Sequence, residues 1–166
     1  MIKLEQFTRN DIPVLLKWLE KTNEEFLVQF SGPRYTYPLS KEQILETMDN
    51  NSYILFKVIG EDTGEIVGHC QFLGVNTGTK SAKIGRILLI PEKRGHGYGA
   101  EIIRQLQKYG EKKLLLQKII LKVYDFNKSA YNCYLKCGFV ETGREEIYFE
   151  SINKTWNTIS MEYIVS

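Results

Sequence analysis

Histidine and cysteine are scarce in this sequence, and the cysteines cannot all pair with one another. The 166 residues contain two histidines and three cysteines. An odd number leaves at least one thiol without a disulfide partner, and Cys133 and Cys137 lie one helical turn apart, where a bridge is geometrically poor. A disulfide-stapled secreted domain is therefore not favoured, and these two cysteines lack the neighbours that a metal site needs. We expect reduced thiols, a cytoplasmic location and no bound metal.

Long apolar runs are also missing, and neither sign of charge dominates. No stretch approaches the roughly 18 apolar residues that a membrane span needs, and residues 1–5 lack the apolar segment of a secretory signal. Lys and Arg number 22 against 20 Asp and Glu, which gives a net charge of +2. This balance provides no general attraction to nucleic acid or to a membrane surface. The length suits one domain, residues 1–166, whose core needs neither disulfides nor metal.

The sequence does contain a clear order of strand and helix patterns. β-rich segments between turn signals predict about seven strands, at residues 2–7, 53–59, 66–75, 82–90, 118–124, 140–149 and 155–164. Helical spacing predicts helices near residues 11–21, after Ser40, at 100–114 and at 127–137. Between them, residues 29–38 are rich in aromatics, proline and glycine, and are predicted to form a binding loop.

The connections between these elements predict the fold class. Short turns make most neighbouring strands antiparallel, but a helix separates the strands at residues 82–90 and 118–124, so that this pair is parallel. We therefore predict a mixed α+β fold, with a mostly antiparallel central sheet and helices on both of its faces.

Glycines alternate in the segment that joins an apolar strand to the longest helix. Residues 91–100 read Pro-Glu-Lys-Arg-Gly-His-Gly-Tyr-Gly-Ala. Glycines at 95, 97 and 99 let the backbone curl so that consecutive N–H groups point into one concavity. The concavity lies at a helix N-terminus, where free N–H groups and the helix dipole favour an anion. The predicted guest is the phosphate or pyrophosphate of a cofactor.

Two nucleotide-binding motifs fit this segment less well. A nucleoside triphosphatase loop needs lysine and then serine or threonine directly after its last glycine, whereas Gly99 is followed by Ala100 and Glu101. The dinucleotide fingerprint is satisfied by Gly95-x-Gly97-x-x-Ala100. However, four residues separate it from the preceding strand, and antiparallel strands come first. A dinucleotide-binding protein stays as the less favoured alternative.

Two blocks of sequence together resemble the GNAT superfamily of N-acetyltransferases. Arg94-x-x-Gly97-x-Gly99 resembles the acyl-CoA pyrophosphate signature of that family. The second block, which resembles the following strand-loop-helix segment, is Asn127-x-x-Ala130-x-x-x-Tyr134-x-x-x-Gly138-Phe139. The resemblance covers roughly residues 84–142 and implies a GNAT-like fold whose parallel strands splay apart. Residues 138–143 are most similar to the branch that contains ribosomal-protein and spermidine acetyltransferases.

The resemblance implies a binding site for acetyl-CoA. Backbone N–H groups of the glycine segment hold the pyrophosphate, and Arg94 adds a charge-assisted contact. Backbone groups of the splayed strand pair with the pantetheine arm, and Gly85 marks the bulge that causes the splay. The implied acetyl-CoA-binding residues are Ile87, Leu89, Ile90, Arg94, Gly95, His96, Gly97, Tyr98, Gly99, Ala100, Asn127, Ala130 and Tyr134.

The implied reaction is direct acetyl transfer to a primary amine, with both substrates bound and no covalent enzyme intermediate. The Leu89 N–H is the implied oxyanion donor, and Tyr134 hydrogen-bonds or protonates the departing thiolate. Lys122 stands where some relatives carry a glutamate that acts as the general base. The general base stays open between a water chain and three residues, His69, Glu25 and Asp125.

The acceptor amine also stays open, between a small molecule such as a polyamine or amino sugar and an amine on a protein or peptide. A closed acidic and aromatic cavity favours the former, and an open groove favours the latter. An acyl-CoA sensor without turnover is a further alternative, and the strand edges suit a homodimer. Candidate walls of the acceptor pocket are Trp18, Phe30, Tyr35, Tyr37, Tyr148 and Phe149.

Overall fold

Seven strands form one sheet in the computed structural model, which describes all 166 residues. The strands are β1 (Ile2–Gln6), β2 (Ile54–Gly60), β3 (Ile66–Asn76), β4 (Ser81–Leu89), β5 (Lys118–Tyr124), β6 (Val140–Phe149) and β7 (Lys154–Ile164). The helices are α1 (Ile12–Glu20), α2 (Glu24–Ser31), α3 (Lys41–Asp49), α4 (Tyr98–Lys112) and α5 (Lys128–Lys136). None of these helices combines the length and the apolar character that crossing a membrane requires.

The strand order is β1-β2-β3-β4-β5-β7-β6, and only β4 and β5 run parallel. Strands β2 to β4 form an antiparallel meander, as the short turns between them predict, and β1 pairs antiparallel with β2. Helix α4 connects β4 to β5, as a parallel crossover requires. The predicted mixed α+β fold with one parallel pair is confirmed.

Each face of the sheet has its own core. Helix α4 buries Ile102, Ile103 and Leu106 on one face, because these residues recur at helical spacing. Helices α1 to α3 cover the opposite face, where Ile12 and Ile44 are fully buried. Each such side chain contributes about 1.5–3 kcal/mol by leaving water, so both faces help to hold the sheet.

Helix α2 corrects the predicted loop at residues 29–38. The helix extends through Ser31, so the loop begins only at Gly32. Asn23 caps the helix, since its Oδ1 accepts a hydrogen bond from Phe26 N at 2.9 Å. Leu27 is buried against the sheet, and this packing supports a helix too short to be stable alone.

A bulge in β4 separates it from β5. The two strands pair only through residues 81–83 and 118–120 and then diverge. Against β3, Gly85 pairs with Gln71 and Leu88 pairs with His69. The two residues between them on β4, Arg86 and Ile87, therefore oppose a single residue of β3, which defines a bulge. Arg86 has a φ of 49°, in the left-handed region. The bulge therefore falls on Arg86, and the prediction that Gly85 marks it is wrong by one residue.

The bulge also exchanges the faces of β4. Before it, Ile84 packs in the core under α4, whereas after it Leu88 packs in the core under α1 to α3. Side chains alternate along a strand, so even-numbered residues would all share one face without the bulge. Lys83, one residue before Ile84, consequently lies on the α1 to α3 side.

Gly68 on β3 allows close contact with the end of β4. A Cβ at this position would lie 2.5 Å from the Leu88 carbonyl oxygen. We expect Gly68→Ala to lower the free energy of unfolding by about 1–3 kcal/mol in urea denaturation, because backbone must move. The matched control is Gly143→Ala, whose Cβ would meet nothing within 4 Å, and we expect it to change stability by less than about 0.5 kcal/mol. Equal unfolding midpoints for the two variants would contradict this account.

Candidate active site

The glycine segment forms an exposed loop at the N-terminus of α4. Gly95 and Gly97 have φ values of 76° and 83°, which glycine adopts without strain. None of the backbone N–H groups of residues 95–100 donates a hydrogen bond within the chain, and the first helical bond runs from Glu101 N to Gly97 O at 3.3 Å. The loop thus presents a row of free donors at the positive end of a helix dipole, which suits a bound anion.

Arg94 connects this loop to the end of β4. Its Nε donates a hydrogen bond to the Leu89 carbonyl at 3.1 Å, and its side chain is exposed. His96 is exposed beside it. Arg94 is therefore placed to add positive charge to the same anion site.

The backbone of β4 beyond the bulge is only partly free. Ile90 N donates to the Val67 carbonyl at 2.9 Å, and Ile90 O accepts from Lys93 N at 3.0 Å. The prediction that Ile90 offers free backbone groups is therefore wrong. Because hydrogen bonding alternates along an antiparallel ladder, the preceding residue, Leu89, turns its N–H and carbonyl away from β3 and toward the gap beside β5.

Helix α5 packs against the start of α4. A Cβ on Gly99 would lie 3.9 Å from Cys133 Sγ, and Cys137 Sγ lies 3.8 Å from the Ala100 carbonyl as a weak donor. Asn127 caps α5, since its Oδ1 accepts from Ala130 N at 3.3 Å. The second predicted block is thereby brought beside the glycine loop.

Tyr134 lines a cavity of about 150 Å³ together with Asn127 and Ile87. Its ring centroid lies 6.1 Å from that of Phe139, which is buried after Gly138 ends α5. Burial raises the pKa of the Tyr134 phenol above its ordinary value, and the neighbouring cysteines act in the same direction. The phenol is therefore a proton donor rather than a phenolate near neutral pH.

A larger cleft of about 420 Å³ lies beside this cavity and shares Arg86 and Tyr124 with it. Its aromatic walls are Phe30, Tyr53, Tyr124 and Phe149. Two of the six predicted wall residues, Phe30 and Phe149, therefore line the cleft. Tyr35 lines an adjoining third pocket. The other three line neither the cleft nor the cavity, namely Trp18, Tyr37 and Tyr148.

The lining of the larger cleft is basic. It includes the four cations Arg34, Lys83, Arg86 and Lys122, and no aspartate or glutamate. Lys122 has a carboxylate partner at 3.0 Å, Glu145 Oε1. Lys83 and Arg86 are not among the residues predicted from the sequence, although an arginine inside the apolar run of residues 84–90 was a visible signal.

None of the three candidate bases lines the cleft or the cavity. His69 is 1% exposed, and burial followed by the charge of Arg86 lowers its pKa to about 3. Glu25 forms a salt bridge with Lys154 at 2.9 Å. Asp125 accepts a hydrogen bond from Asn157 at 3.3 Å.

Comparison with known proteins identifies relatives of this arrangement. Residues 15–139 match the model of the acetyltransferase (GNAT) family. A spermidine N(1)-acetyltransferase of Vibrio cholerae is 30% identical over 110 residues, which span 65% of this chain and 61% of that protein. The match thus covers less than two thirds of the length of that relative.

Solved structures show the same fold. The crystal structure of a Vibrio cholerae spermidine N-acetyltransferase in complex with CoA and spermine aligns with a TM-score of 0.82 and 24% identity, over 98% of this chain and 95% of that one. A dodecameric structure of a spermidine N-acetyltransferase from the same organism aligns with a TM-score of 0.78 and 23% identity, over 98% and 93%.

The family match includes the glycine loop, the open edge of β4 and helix α5. The dinucleotide-binding alternative is accordingly not favoured. The resemblance inferred from the two sequence blocks is confirmed, and the chain belongs to the acetyltransferase (GNAT) family.

Proposed function

We propose that this protein transfers the acetyl group of acetyl-CoA to a primary amine, with both substrates bound at once. All of residues 1–166 act as one acyl-CoA N-acyltransferase domain. The observation that carries the proposal is the row of free N–H groups at residues 95–100, beside the open edge of β4. A diphosphate fits these donors, and a peptide-like arm fits the unpaired strand edge.

The predicted residues named below have proposed roles that their positions support. The loop backbone and Arg94 hold the pyrophosphate, and the backbone of Ile87 and Leu89 contacts the pantetheine arm. Asn127 and Ala130 border the same arm from α5. Acetyl-CoA supplies the thioester that the amine attacks. The Leu89 N–H stabilises negative charge on the carbonyl oxygen, and Tyr134 donates its hydroxyl hydrogen toward the sulfur.

The basic cleft supplies the deprotonated amine without a carboxylate base. Positive charges close to an ammonium group lower its pKa, because they disfavour a further charge. The same effect lowers the pKa of Lys83, where burial acts first and then Lys122 and Arg34. An acceptor amine in this cleft loses its proton more readily than in water, and water carries the proton away.

A small amine is the proposed acceptor, since about 420 Å³ within aromatic walls suits a small molecule better than a peptide. The named relatives make polyamines the reference compounds. The dodecamer of one structural neighbour supports an assembly of several copies. Three free cysteines support a reducing, cytoplasmic location.

The test is the release of free thiol from acetyl-CoA across a panel of amines. The panel contains spermidine, an amino sugar, amino acids and a peptide with a free N-terminus. We expect release that depends on the acceptor, with saturation in both substrates. Calorimetric binding of CoA without thiol release from any amine would instead support an acyl-CoA sensor.

A further inference from the structure

Arg86 is a buried cation without an anionic partner. It is 6% exposed, and it takes part in none of the salt bridges of the chain. Its Nη1 donates to Tyr35 Oη and to Gln71 Oε1, both at 3.2 Å. The guanidinium carbon lies 4.4 Å from the Tyr35 ring centroid and 5.7 Å from that of Tyr53, which eases its burial but supplies no negative charge. Burying a cation without an anion is expensive, so its position points to a counterion that arrives with a ligand.

The guanidinium is held in place and opens on the cleft. Tyr35 Oη is fixed by Thr47 Oγ1 at 2.7 Å, and Gln71 Nε2 contacts His69 Nε2 at 2.9 Å. Nε and Nη2 of Arg86 donate to no group of the chain, and the residue lines the larger cleft, the smaller cavity and the third pocket. The backbone of Arg86 at the bulge is left-handed and therefore strained. A role of its side chain in the cleft explains why this strain is kept.

Two further cations face the same space without partners. Lys83 is half-buried on the same side of β4, and Arg34 lies in the loop after α2. Neither forms a salt bridge, whereas Lys122 has Glu145 as its partner. The one carboxylate around the adjoining third pocket is Glu46. The larger cleft thus carries an excess of positive charge.

We propose that the acceptor is an amine that also carries a carboxylate, and that Arg86 binds this carboxylate, with Lys83 and Arg34 adding attraction. The inference rests on the proposed acetyl transfer. A carboxylate matches the free Nε and Nη2 edge of the guanidinium, which can donate two parallel hydrogen bonds to it. A polyamine meets repulsion from the same three cations.

The test compares amines that differ only at the end remote from the reacting nitrogen. For chains of two to six carbons, each ω-amino acid is paired with the alkylamine, the diamine and the aminoalkyl phosphonate of equal length. We expect kcat/KM for the best amino acid to exceed that of its alkylamine and diamine by about tenfold to a hundredfold, as charge-assisted hydrogen bonds imply. Spermidine is included, and a higher kcat/KM for spermidine or for the diamines would overturn the inference. A higher kcat/KM for the phosphonate than for the amino acid would overturn the carboxylate and indicate that the cleft binds phosphate-like anions.

Variants separate this inference from the proposed function. Arg86→Met removes the cation, and Lys83→Met does so at a half-buried position without a hydrogen-bond partner, in case the first variant misfolds. We expect KM for the amino acid to rise about tenfold or more, with KM for acetyl-CoA unchanged. Arg9→Gln, an exposed cation away from the cleft, is the control. Activity with alkylamines and no effect of either variant on selectivity would overturn the inference alone, whereas no thiol release with any amine would overturn the proposed function.

Discussion

Replacing Leu89 by proline is expected to lower kcat by about 100- to 1,000-fold while the protein stays folded. Loss of one oxyanion donor has an effect of this size in other acyl-transfer enzymes. Proline removes the N–H of Leu89, which faces the gap between β4 and β5 and makes no bond to β3. The measurement is the rate of thiol release at saturating acetyl-CoA and amine, together with thermal unfolding.

The position tolerates proline for reasons that neighbouring residues do not share. A strand tolerates proline where the lost N–H faces an unpaired side. Proline also requires an extended conformation in the residue before it, and Leu88 has this conformation because it lies in β4. Ile90→Pro removes the bond to Val67 and is expected to destabilise the fold. Leu89→Ala keeps the N–H and is expected to retain most of the activity. Equal kcat for the proline and alanine variants would show that this N–H does not act on the carbonyl oxygen.

The parts of the fold predicted from sequence are those that local patterns determine. The strand at residues 118–124 matches β5 residue for residue, because a β-branched run between two helical patterns has little alternative. Gly138 follows Cys137, the C-cap of α5, and adopts a φ of 91°, as a glycine after a helical pattern predicts. The free N–H groups of residues 95–100 are also determined by a local pattern, because they follow from the glycine spacing and the start of a helix.

The parts that were missed depend on contacts distant in sequence. Asn23 is a local start signal for helix α2, but the helix is stable because Leu27 and Phe30 pack against the sheet. Ile90 loses its free N–H because β3 supplies a partner at Val67. The bulge places Arg86 beside Tyr35, 51 positions earlier in the chain, and only the folded structure brings the two together. The sequence shows that Arg86 lies within an apolar run, but not that it shares one cleft with Lys83 and Arg34.

Substituting Tyr134 by phenylalanine is expected to lower kcat about tenfold or more and to leave the affinity for acetyl-CoA unchanged. The variant removes the only polar atom of a side chain whose ring remains packed beside Phe139. Loss of a positioned proton donor has at least this effect on a transfer step. Calorimetric titration with CoA gives the affinity, and thiol release at saturating acceptor gives kcat.

The pH dependence tests whether the Tyr134 phenol keeps its proton over the range of the assay. Burial raises the pKa of Tyr134 above its ordinary value of about 10, so the phenol keeps its proton from neutral pH to about pH 9. The ratio of wild-type to variant kcat is therefore expected to stay constant over this range. Tyr131→Phe is the matched control, because that hydroxyl contacts Glu141 at 3.2 Å at the surface, and its kcat should equal that of the wild type. If both variants behaved alike, Tyr134 would serve only to pack α5, and the sulfur would take its proton from water.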